Sequence, residues 1–288
     1  MSERIFLYQI FYDQSTKASL ERGYRPLDNT GNERPDWYEL WPIRKFLLSN
    51  KLDPDAWYGF FSPRFNEKTG VEYHHVHQFV SHFQGQADVT FFPRRWDHIA
   101  FFRNVFIHGE LAHPGIIEMT AEFLSRKSIN INLNELVNHS GNAVYSNNVV
   151  ARGNYWQAWL ELVENFFSYV EYDNSANAQA IRMPTTYGAR SVPMKTFIQE
   201  RLNAIVIKTG SYKIATLDTS VSAAISDLFY DEPRSRRLLQ VCDLLKQDYT
   251  KTSESKYLTL FEQMRTLIPK APRLRALEAT SQSKNLKT

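Results

Sequence analysis

The amino-acid sequence predicts an α/β fold, in which an open sheet is flanked by helices and followed by a helical C-terminal extension. Two apolar runs, Ile5–Tyr12 and Trp57–Phe61, have the composition of strands buried on both faces. Between and after such runs lie longer stretches with helical spacing of apolar residues, of which 154–170 is the strongest. Strands that alternate with helices in this way build an open sheet covered by helices.

Composition limits the class of protein before any motif is considered. The chain has 288 residues and a net charge of +3, which is too small to argue for a nucleic-acid partner. Its one cysteine, Cys242, excludes an intrachain disulfide framework and fits a reducing compartment. No run of apolar residues reaches the length of a membrane span. We therefore expect a soluble, cytoplasmic protein.

The beginning of the chain is predicted to form a strand, then a long loop and then a helix. Ile5–Tyr12 is the first strand, and the polar, turn-rich stretch 13–32 is a long loop. Asp36 suits the N-cap of a helix with Glu39 in a capping box, and the helix continues to Leu48. Because Pro42 fits poorly within a helix, the first turn is expected to be separate.

The remaining elements follow the same reasoning. The patterns predict helices at 72–84, 97–106, 116–126, 154–170 and 193–207, and strands at 57–61, 87–93, 141–151 and 212–216. The segment Tyr172–Ala189 is rich in Asn, Ala, Thr and Pro, so we expect a flexible connection there.

Charge separates the last part of the chain from the rest. Residues 233–288 hold six Lys and six Arg against two Asp and three Glu, a net of +7, which leaves −4 for the first 232 residues. We divide the chain into a catalytic domain over 1–232, a basic helical extension over 233–279 and a disordered tail over 280–288.

The stretch Trp57–Gly70 is the first candidate for a binding site. A buried strand ends there and is followed by Ser62, Arg64 and Lys68. Ligands of open α/β sheets collect outside the carboxyl ends of the strands, and Arg and Lys are the usual partners of phosphate groups. The alternative is an ordinary loop with two solvated cations.

Two patterns raise the question of a metal ion. The helix 72–84 carries His74, His75, His77 and His82, but their spacing does not bring three ligands to one point, and solvated histidines are the alternative. The only Asp-x-Asp sequence, at 53–55, precedes a strand and is read as a turn. We expect chemistry without a metal, and a divalent cation is the alternative.

Two groups of residues are candidates for acid–base chemistry. Glu110 and His113 lie in the sequence HGELAHPG, read as a loop in which Gly109 and Gly115 permit unusual backbone; a helix cap is the alternative. Glu200 and Arg201 lie in an apolar helical stretch, where they form either an internal salt bridge or a carboxylate facing the acceptor of a transferred group.

Four segments taken together resemble bacterial glycosyltransferases of the DUF4422 type and their GT-A relatives. They are WYELWPIRKFL at 37–47, WYGFFSPRF at 57–65, SNNVVARGNYWQAWLELVENFFSYVE at 146–171 and FIQERLNAIVI at 197–207. Their order and rough spacing match over about two-thirds of the chain. The sequence departs from the family in having Ser62-Pro63-Arg64-Phe65 where the relatives have His-Tyr-Arg-Arg.

The resemblance implies a GT-A-like, Rossmann-type fold that transfers a sugar from a nucleotide-sugar donor (EC 2.4 class) to a surface glycan such as lipopolysaccharide O-antigen or capsule. The donor would meet Tyr8 and Gln9 at the end of the first strand, with Asp28 and Asn29 closing over it. Further contacts would come from Ser62, Arg64, Lys68, Asn147 and Arg201. Catalytic roles would fall to Glu110, His113 and Glu200, with Glu110 favoured as the base.

Two further expectations concern partners. The acceptor would be a glycan or a lipid-linked glycan, and the basic extension would attract the protein to the anionic inner face of the inner membrane; a solvated basic face is the alternative. A non-catalytic protein of the same fold that binds nucleotide sugars or glycans is the second functional hypothesis.

Overall fold

A computed structural model describes residues 4–187 and 190–285 and has a mixed six-stranded sheet at its centre. The strands of this sheet are β1 (Ile5–Phe11), β2 (Arg25–Asp28), β3 (Trp57–Phe61), β4 (Val89–Phe91), β5 (Val149–Arg152) and β8 (Ile214–Thr216). A separate hairpin pairs β6 (Pro184–Tyr187) with β7 (Arg190–Pro193). The prediction of an α/β fold with an open sheet flanked by helices is confirmed.

Strand direction gives the sheet one edge at which most strands finish. The order across the sheet is β2-β1-β3-β5-β4-β8, and only β5 runs antiparallel to its neighbours. The carboxyl ends of the other five strands therefore meet the amino end of β5 at one edge, which we call the carboxyl edge.

Helices connect the strands and cover both faces of the sheet. The described helices before β6 are α1 (Gln14–Ala18), α2 (Leu40–Ser49), α3 (Phe65–Thr69), α4 (Tyr73–His82), α5 (Trp96–Phe101), α6 (Val105–Ala112), α7 (Ile116–Arg126), α8 (Gly153–Tyr172) and α9 (Ala176–Arg182). Those after β7 are α10 (Met194–Gln199), α11 (Leu202–Thr209), α12 (Pro233–Thr252), α13 (Ser255–Thr266) and α14 (Pro272–Asn285).

The side chains of β3 show how the sheet separates two cores. All five residues are buried, because both faces of the strand are covered. Tyr58 and Phe60 belong to a large core with α2, α7 and α8, whereas Trp57 and Phe61 belong to a smaller core with α3 and α4. This alternation follows from the two-residue period of a strand.

The C-terminal helices share a third core with α5. Leu239, Cys242 and Phe261 pack there against Phe101. Lys246 of α12 is fully buried and donates hydrogen bonds to the backbone carbonyls of Ile99 and Phe102, at the end of α5. Burial lowers the pKa of this ammonium group to about 8. The basic extension is therefore anchored to the body of the protein by apolar packing and by a buried cation.

Several predicted elements agree with the structure. The strand 57–61 and the helix 116–126 are confirmed as β3 and α7. The predicted break near Pro42 is confirmed, since a short 3-10 turn over Pro35–Trp37 precedes α2. Asp36 is not the N-cap of α2, however, and the predicted capping box is wrong, because the helix begins at Leu40 with Glu39 at the cap position. Asp36 lies in the 3-10 turn, and its carboxylate forms ion pairs with Arg34 and Lys195.

Other predicted elements are corrected. The expected loop 13–32 contains α1 and the edge strand β2, and the expected flexible connection from Tyr172 contains α9 and β6 up to Tyr187, while 188–189 lie outside the described residues. The expected disordered tail is helical as far as Asn285, and 286–288 lie outside the described residues.

The expected loop HGELAHPG is mostly helix α6. Gly109 adopts helical backbone there, and a side chain on it would meet the guanidinium of Arg201 at about 2.9 Å. The glycine is therefore needed for the close approach of a neighbouring side chain rather than for a turn.

Within the described part of the chain, every helix is too short or too polar to cross a bilayer.

Candidate functional site

The topology of the sheet indicates where a ligand would bind. After β1 the chain forms β2 on one side of it and then crosses to form β3 on the other side. Such a reversal of strand order opens a crevice outside the carboxyl ends of the strands, and ligands of open α/β sheets bind in it. The residues that follow β3 and those that precede β5 lie at this edge.

A cleft of about 240 Å³ lies at this place. Four segments that are distant in the sequence form its walls, and their lining residues are Tyr38, Glu39, Leu40, Lys68, Ser146, Asn147, Val192, Thr196, Phe197, Gln199 and Glu200. The cleft thus brings together three of the residues singled out in the sequence, namely Lys68, Asn147 and Glu200.

Glu200 is the cleft residue whose acidity is most clearly changed. Its side chain is partly accessible at the wall of the cleft. Burial raises the pKa of its carboxyl group, and the negative charge of Glu39 acts in the same direction. The positive charges of Arg201, Lys68 and Arg94 act against this rise. A carboxylate with a raised pKa is a better base than an ordinary surface glutamate.

Lys68 supplies a cation to the same cleft. It belongs to α3, directly after β3, so the loop that ends the strand delivers it to the carboxyl edge. Its Nζ lies 3.4 Å from the hydroxyl oxygen of Ser62 and 4.0 Å from a carboxylate oxygen of Glu39. Because Lys68 and Glu39 each keep about a third of their side-chain surface exposed, at 34% and 32%, the attraction between them is weakened by solvent.

Among the residues that the structure describes, three oxygen atoms at the cleft have no hydrogen-bond partner. They are Oδ1 of Asn147, Oγ1 of Thr196 and Oε1 of Gln199, and all three are shielded from solvent. An unpaired buried polar atom costs about 1–3 kcal/mol. A ligand that carries hydroxyl groups could offset this cost, since each of the three oxygens accepts a hydrogen bond.

Backbone conformation at the cleft is also unusual. Tyr38 has φ 47° and ψ −134°, a combination that L-residues with large side chains seldom adopt. Ser146, on another wall, has φ 59°. Its backbone is held by hydrogen bonds from its own N–H to the carbonyl of Glu200 and from the side chain of Asn203 to its carbonyl. Strained residues that the surroundings hold in place are concentrated at binding and catalytic sites.

The two predicted arginines lie outside the cleft lining. Arg64 is exposed and forms a hydrogen bond of 2.6 Å with Glu67 at the start of α3. Arg201 is buried, and its guanidinium donates to the carbonyl oxygens of Val105 and Phe197 at 2.8 and 2.6 Å. The internal salt bridge between Glu200 and Arg201 is therefore not found in the described part of the chain, whereas Glu200 lines the cleft, and its contact with an acceptor stays a prediction.

Glu110 acts as a helix cap in the structure. Its two carboxylate oxygens accept hydrogen bonds from the backbone N–H groups of Gly115 and Ile117 at 2.7 and 3.1 Å, at the start of α7. The same carboxylate is therefore engaged in satisfying the first turn of a helix. It is also absent from the lining of the cleft among the residues described.

His113 lies behind the wall of the cleft. Its ring stacks on Phe197 with centroids 3.5 Å apart, and it is buried. Burial, assisted by the charge of Arg201, lowers the pKa of its imidazole to about 4. The ring is therefore neutral near pH 7, so His113 brings no positive charge to the neighbourhood of the cleft.

Tyr8 and Gln9 were predicted to contact the donor from the end of the first strand, but the structure places them away from that end. Tyr8 and Gln9 lie in the middle of β1, which ends at Phe11. Tyr8 packs on Phe60, and the side chain of Gln9 binds backbone groups of the loops around it, including the carbonyl of Pro63 at 3.3 Å. Gln9 therefore positions the loop that follows β3.

Asp28 and Asn29 do lie at the carboxyl edge. Asp28 ends β2, and its carboxylate accepts hydrogen bonds from the backbone and the hydroxyl of Thr30. Asn29 is buried, and its backbone N–H donates to the carbonyl of Phe11 at the end of β1. Both residues remain predictions as donor ligands.

The two metal-related patterns lie away from the cleft. Asp53 accepts a hydrogen bond from the backbone of Asp55, so the sequence 53–55 is the predicted turn, located before β3 at the opposite edge. On the start of α4, Glu72, His74 and His75 have ligand atoms within 4.8 Å of one another, and all three are exposed. Exposed groups of this kind are common without an ion.

Sequence reasoning singled out three of the eleven described cleft residues and missed the other eight, of which four illustrate why. Glu39 was read as part of a capping box, and Tyr38, Thr196 and Gln199 were not singled out. A signal existed for Glu39, because it is an ionisable residue within a segment of the family resemblance, 37–47, and could have been considered as a site residue. The remaining three become recognisable only when their segments meet in the fold.

Comparison with known proteins adds no family to these observations. No protein-family model, no curated protein and no solved structure matches the chain.

Proposed function

We propose that the protein is a glycosyltransferase, which moves a sugar from a nucleotide-sugar donor to a hydroxyl group of a growing surface glycan. The observation that carries the proposal is the presence of Lys68 and Glu200 in one cleft at the carboxyl edge of the sheet. Transfer of a sugar needs a cation near the departing phosphate and a base near the attacking hydroxyl. This cleft offers one of each.

The proposed chemistry is a direct displacement. The Glu200 carboxylate accepts the proton of the acceptor hydroxyl while the hydroxyl oxygen forms a bond to the anomeric carbon of the donor sugar. The bond from that carbon to the phosphate oxygen breaks, and the nucleoside diphosphate leaves with the electron pair. Lys68 stabilises the negative charge that grows on the departing phosphate. Glu110 keeps its structural role at α7 in this proposal.

The cleft has the chemistry of a sugar site. Its unpaired oxygens on Asn147, Thr196 and Gln199 match the hydroxyl donors of a sugar ring, and Tyr38 and Phe197 offer apolar faces for the ring carbons. Small-molecule sites usually have volumes of about 300–1,000 Å³, so this smaller cleft would hold the sugar and phosphate portion of the donor. The nucleoside would extend along the carboxyl edge toward Asp28 and Asn29.

The finer parts of the proposal rest on the family resemblance. We propose a GT-A-like arrangement of the sheet, action in the synthesis of lipopolysaccharide or capsule, and a location in the cytoplasm. Lys68 is proposed to serve the phosphates without a divalent cation. A non-catalytic protein that binds the same ligands would share the cleft but would release them unchanged.

One experiment tests the proposal and separates it from binding alone. Thermal shift is measured with UDP-, GDP-, CMP- and dTDP-sugars, each with and without EDTA, because a ligand that binds the native state raises the melting temperature. The stabilising donor is then incubated with a glycan acceptor, and release of nucleotide is followed. We expect one nucleotide class to stabilise the protein and to be consumed, with EDTA having no effect.

Matched variants locate the effect in the cleft. Glu200→Gln should keep stabilisation by the donor and lose turnover, whereas Glu161→Gln, an exposed position on α8, should behave as the wild type. Stabilisation without turnover in the wild type would favour the binding protein. Stabilisation by none of the four classes would contradict the proposal.

Attachment to anionic membrane is a separate proposal about the C-terminal helices. Several basic residues of these helices have partners in the protein: Arg236 binds backbone carbonyls of the 220–223 loop, Lys270 pairs with Glu278, Arg273 with Asp227 and Arg275 with Tyr230. Arg234 and Arg237 are exposed one turn apart on α12. They are the cations best placed to meet an anionic surface.

A further inference from the structure

A second cavity, of about 350 Å³, lies farther along the carboxyl edge. It is enclosed by the segment 216–221 that leaves β8, by Pro93 after β4, and by one face of α12. The face of α12 contributes Gln240, Asp243, Leu244 and Gln247. None of the residues that line the first cleft lines this cavity, so the two are separate sites.

Like the first cleft, this cavity is lined by residues with buried polar atoms for which the described part of the chain supplies no hydrogen-bond partner. Nε1 of Trp96, Oγ1 of Thr216 and Oγ1 of Thr219 are shielded from solvent and have no hydrogen-bond partner within 4–187 and 190–285. Trp96 is 2% exposed and Thr219 is 7% exposed. One of these atoms is a donor and the other two belong to hydroxyl groups, which both donate and accept. A ligand that offers donors and acceptors close together would satisfy them.

The charge of the lining restricts the class of ligand. Within the described part of the chain, neither Lys nor Arg contributes to the lining, while Asp218 and Asp243 do. Asp243 already accepts hydrogen bonds from Ser140 and Gln247, and Asp218 accepts one from the backbone of Ser220. A phosphate or carboxylate ligand would face these carboxylates, while Arg236, which lies over the ring of Trp96, is engaged with the carbonyl oxygens of the loop, so the chemistry favours a neutral ligand.

The rim of the cavity is apolar and its loop is held in place. Val221 and Leu244 are 75% and 56% exposed at the opening. Arg236 donates hydrogen bonds from one guanidinium nitrogen to the carbonyl oxygens of Ser220 and Ala223, at 2.8 and 2.9 Å. This contact fixes the loop in advance of binding, which lowers the entropy that a ligand would have to overcome.

We propose that this cavity binds a neutral saccharide. Hydroxyl groups of a sugar can satisfy the Trp96 and threonine atoms, and the carbon face of its ring can rest on the apolar rim. The inference does not depend on the proposed transferase activity, because the cavity shares no lining residue with the cleft of Lys68 and Glu200.

Saturation-transfer NMR on the full chain tests the proposal, with the methyl glycosides of glucose, galactose, mannose and N-acetylglucosamine as probes. We expect a signal from at least one probe with the wild type. Leu244→Trp should block the opening and remove the signal. Val241→Trp, on the same helix but outside the lining, should keep it and serves as the matched control.

A second variant protects the test against a folding defect. Thr219→Val keeps the shape of the side chain and removes only the hydroxyl, so affinity should fall about 2- to 12-fold, the equivalent of one neutral hydrogen bond. Loss of the signal in Leu244→Trp, at a residue that lines this cavity and not the first cleft, distinguishes the two sites. No signal from any of the four probes, or an equal signal with Leu244→Trp, would overturn the proposal.

Discussion

Lys68 Nζ lies 4.0 Å from a carboxylate oxygen of Glu39 at the cleft. This distance is the outer limit of an ion pair, and a pair that solvent reaches contributes at most about 1 kcal/mol. Lys68 can therefore turn toward a phosphate group at little cost. Glu39 would then be left to a hydroxyl group of the same ligand.

The first prediction concerns this lysine. Lys68→Ala should weaken binding of the nucleotide-sugar donor by about 1.5–3 kcal/mol, the contribution of a hydrogen bond to a charged group. Titration calorimetry with the donor found by thermal shift measures the change. Lys208→Ala removes an exposed lysine at the end of α11 and should have no effect. Equal affinity in both variants would remove Lys68 from the donor site.

The second prediction concerns the proposed base. Glu200→Gln should lower kcat about 10²- to 10⁴-fold, the usual contribution of a general base, with little change in donor affinity. Because burial raises the pKa of Glu200, the acidic limb of the rate profile of the wild type should lie above pH 4.5, the ordinary value of a glutamate. A limb at or below that value, or a variant that retains its kcat, would place the base elsewhere.

The third prediction separates Glu110 from catalysis. Glu110→Ala removes the acceptor of two backbone hydrogen bonds at α7, so the free energy of unfolding should fall by about 1 kcal/mol, as for other lost helix caps. Chemical denaturation measures this loss, and kcat should stay at the wild-type value. A large fall in kcat with unchanged stability would restore the catalytic role that the sequence suggested.

The fourth prediction is a loss of stability in mild acid. Burial is the main cause that lowers the pKa of His98 and of His139 to about 4, and that of His108 well below its ordinary value of 6.5. Between pH 6.5 and about 4 the unfolded chain binds protons at these positions and the folded chain does not. The free energy of unfolding should therefore fall as pH is lowered through this range.

Urea denaturation at a series of pH values measures that slope. His98→Gln can keep a hydrogen bond to Ser226 and should reduce the slope by removing one titrating group. The double variant His74→Gln/His75→Gln changes two exposed residues of α4 and should leave it as it is. Stability that does not change over this range would contradict the buried, neutral state of these rings.

The fifth prediction concerns membrane attachment. Cosedimentation with anionic vesicles should be salt-sensitive, and Arg234→Ala/Arg237→Ala should weaken it, since each basic group near an anionic surface contributes about 1 kcal/mol. Lys251→Ala/Lys256→Ala removes two exposed charges elsewhere on the C-terminal helices and tests whether the position matters. Equal sedimentation with neutral vesicles, or none with either, would end this proposal.

Sequence patterns predicted the buried parts of the fold better than its exposed parts. β3 was predicted with its observed ends because all five of its residues are apolar and Ser62-Pro63 follows. β2 was missed because Arg25-Pro26-Leu27-Asp28 is a largely exposed edge strand, which has no need of an apolar pattern. α6 was predicted to be a loop because the stretch HGELAHPG contains Gly109 and two histidines. In the structure Gly109 lies in the helix and leaves room for the side chain of Arg201.

The candidate site was predictable only where a charged residue follows a strand or interrupts an apolar helical stretch. Lys68 could be found because it comes soon after β3. Glu200 could be found because an ionisable residue within an apolar helical stretch is expected to be paired or to face a cleft. Thr196 and Gln199 gave no signal, since their importance comes from the meeting of α10 with the residues before α2 and before β5. Proximity of that kind is a property of the whole fold.

The order of the sheet has a consequence for how copies of the protein behave toward one another. Its two outer strands are β2, of four residues, and β8, of three. β2 also carries charges at Arg25 and Asp28, and Pro26 lacks the N–H that a further strand would require. Short outer strands with charges and proline are poor templates for pairing with another chain. Pairing of the sheet with a strand of another copy is therefore disfavoured at β2, and at β8 only three residues are available for such pairing.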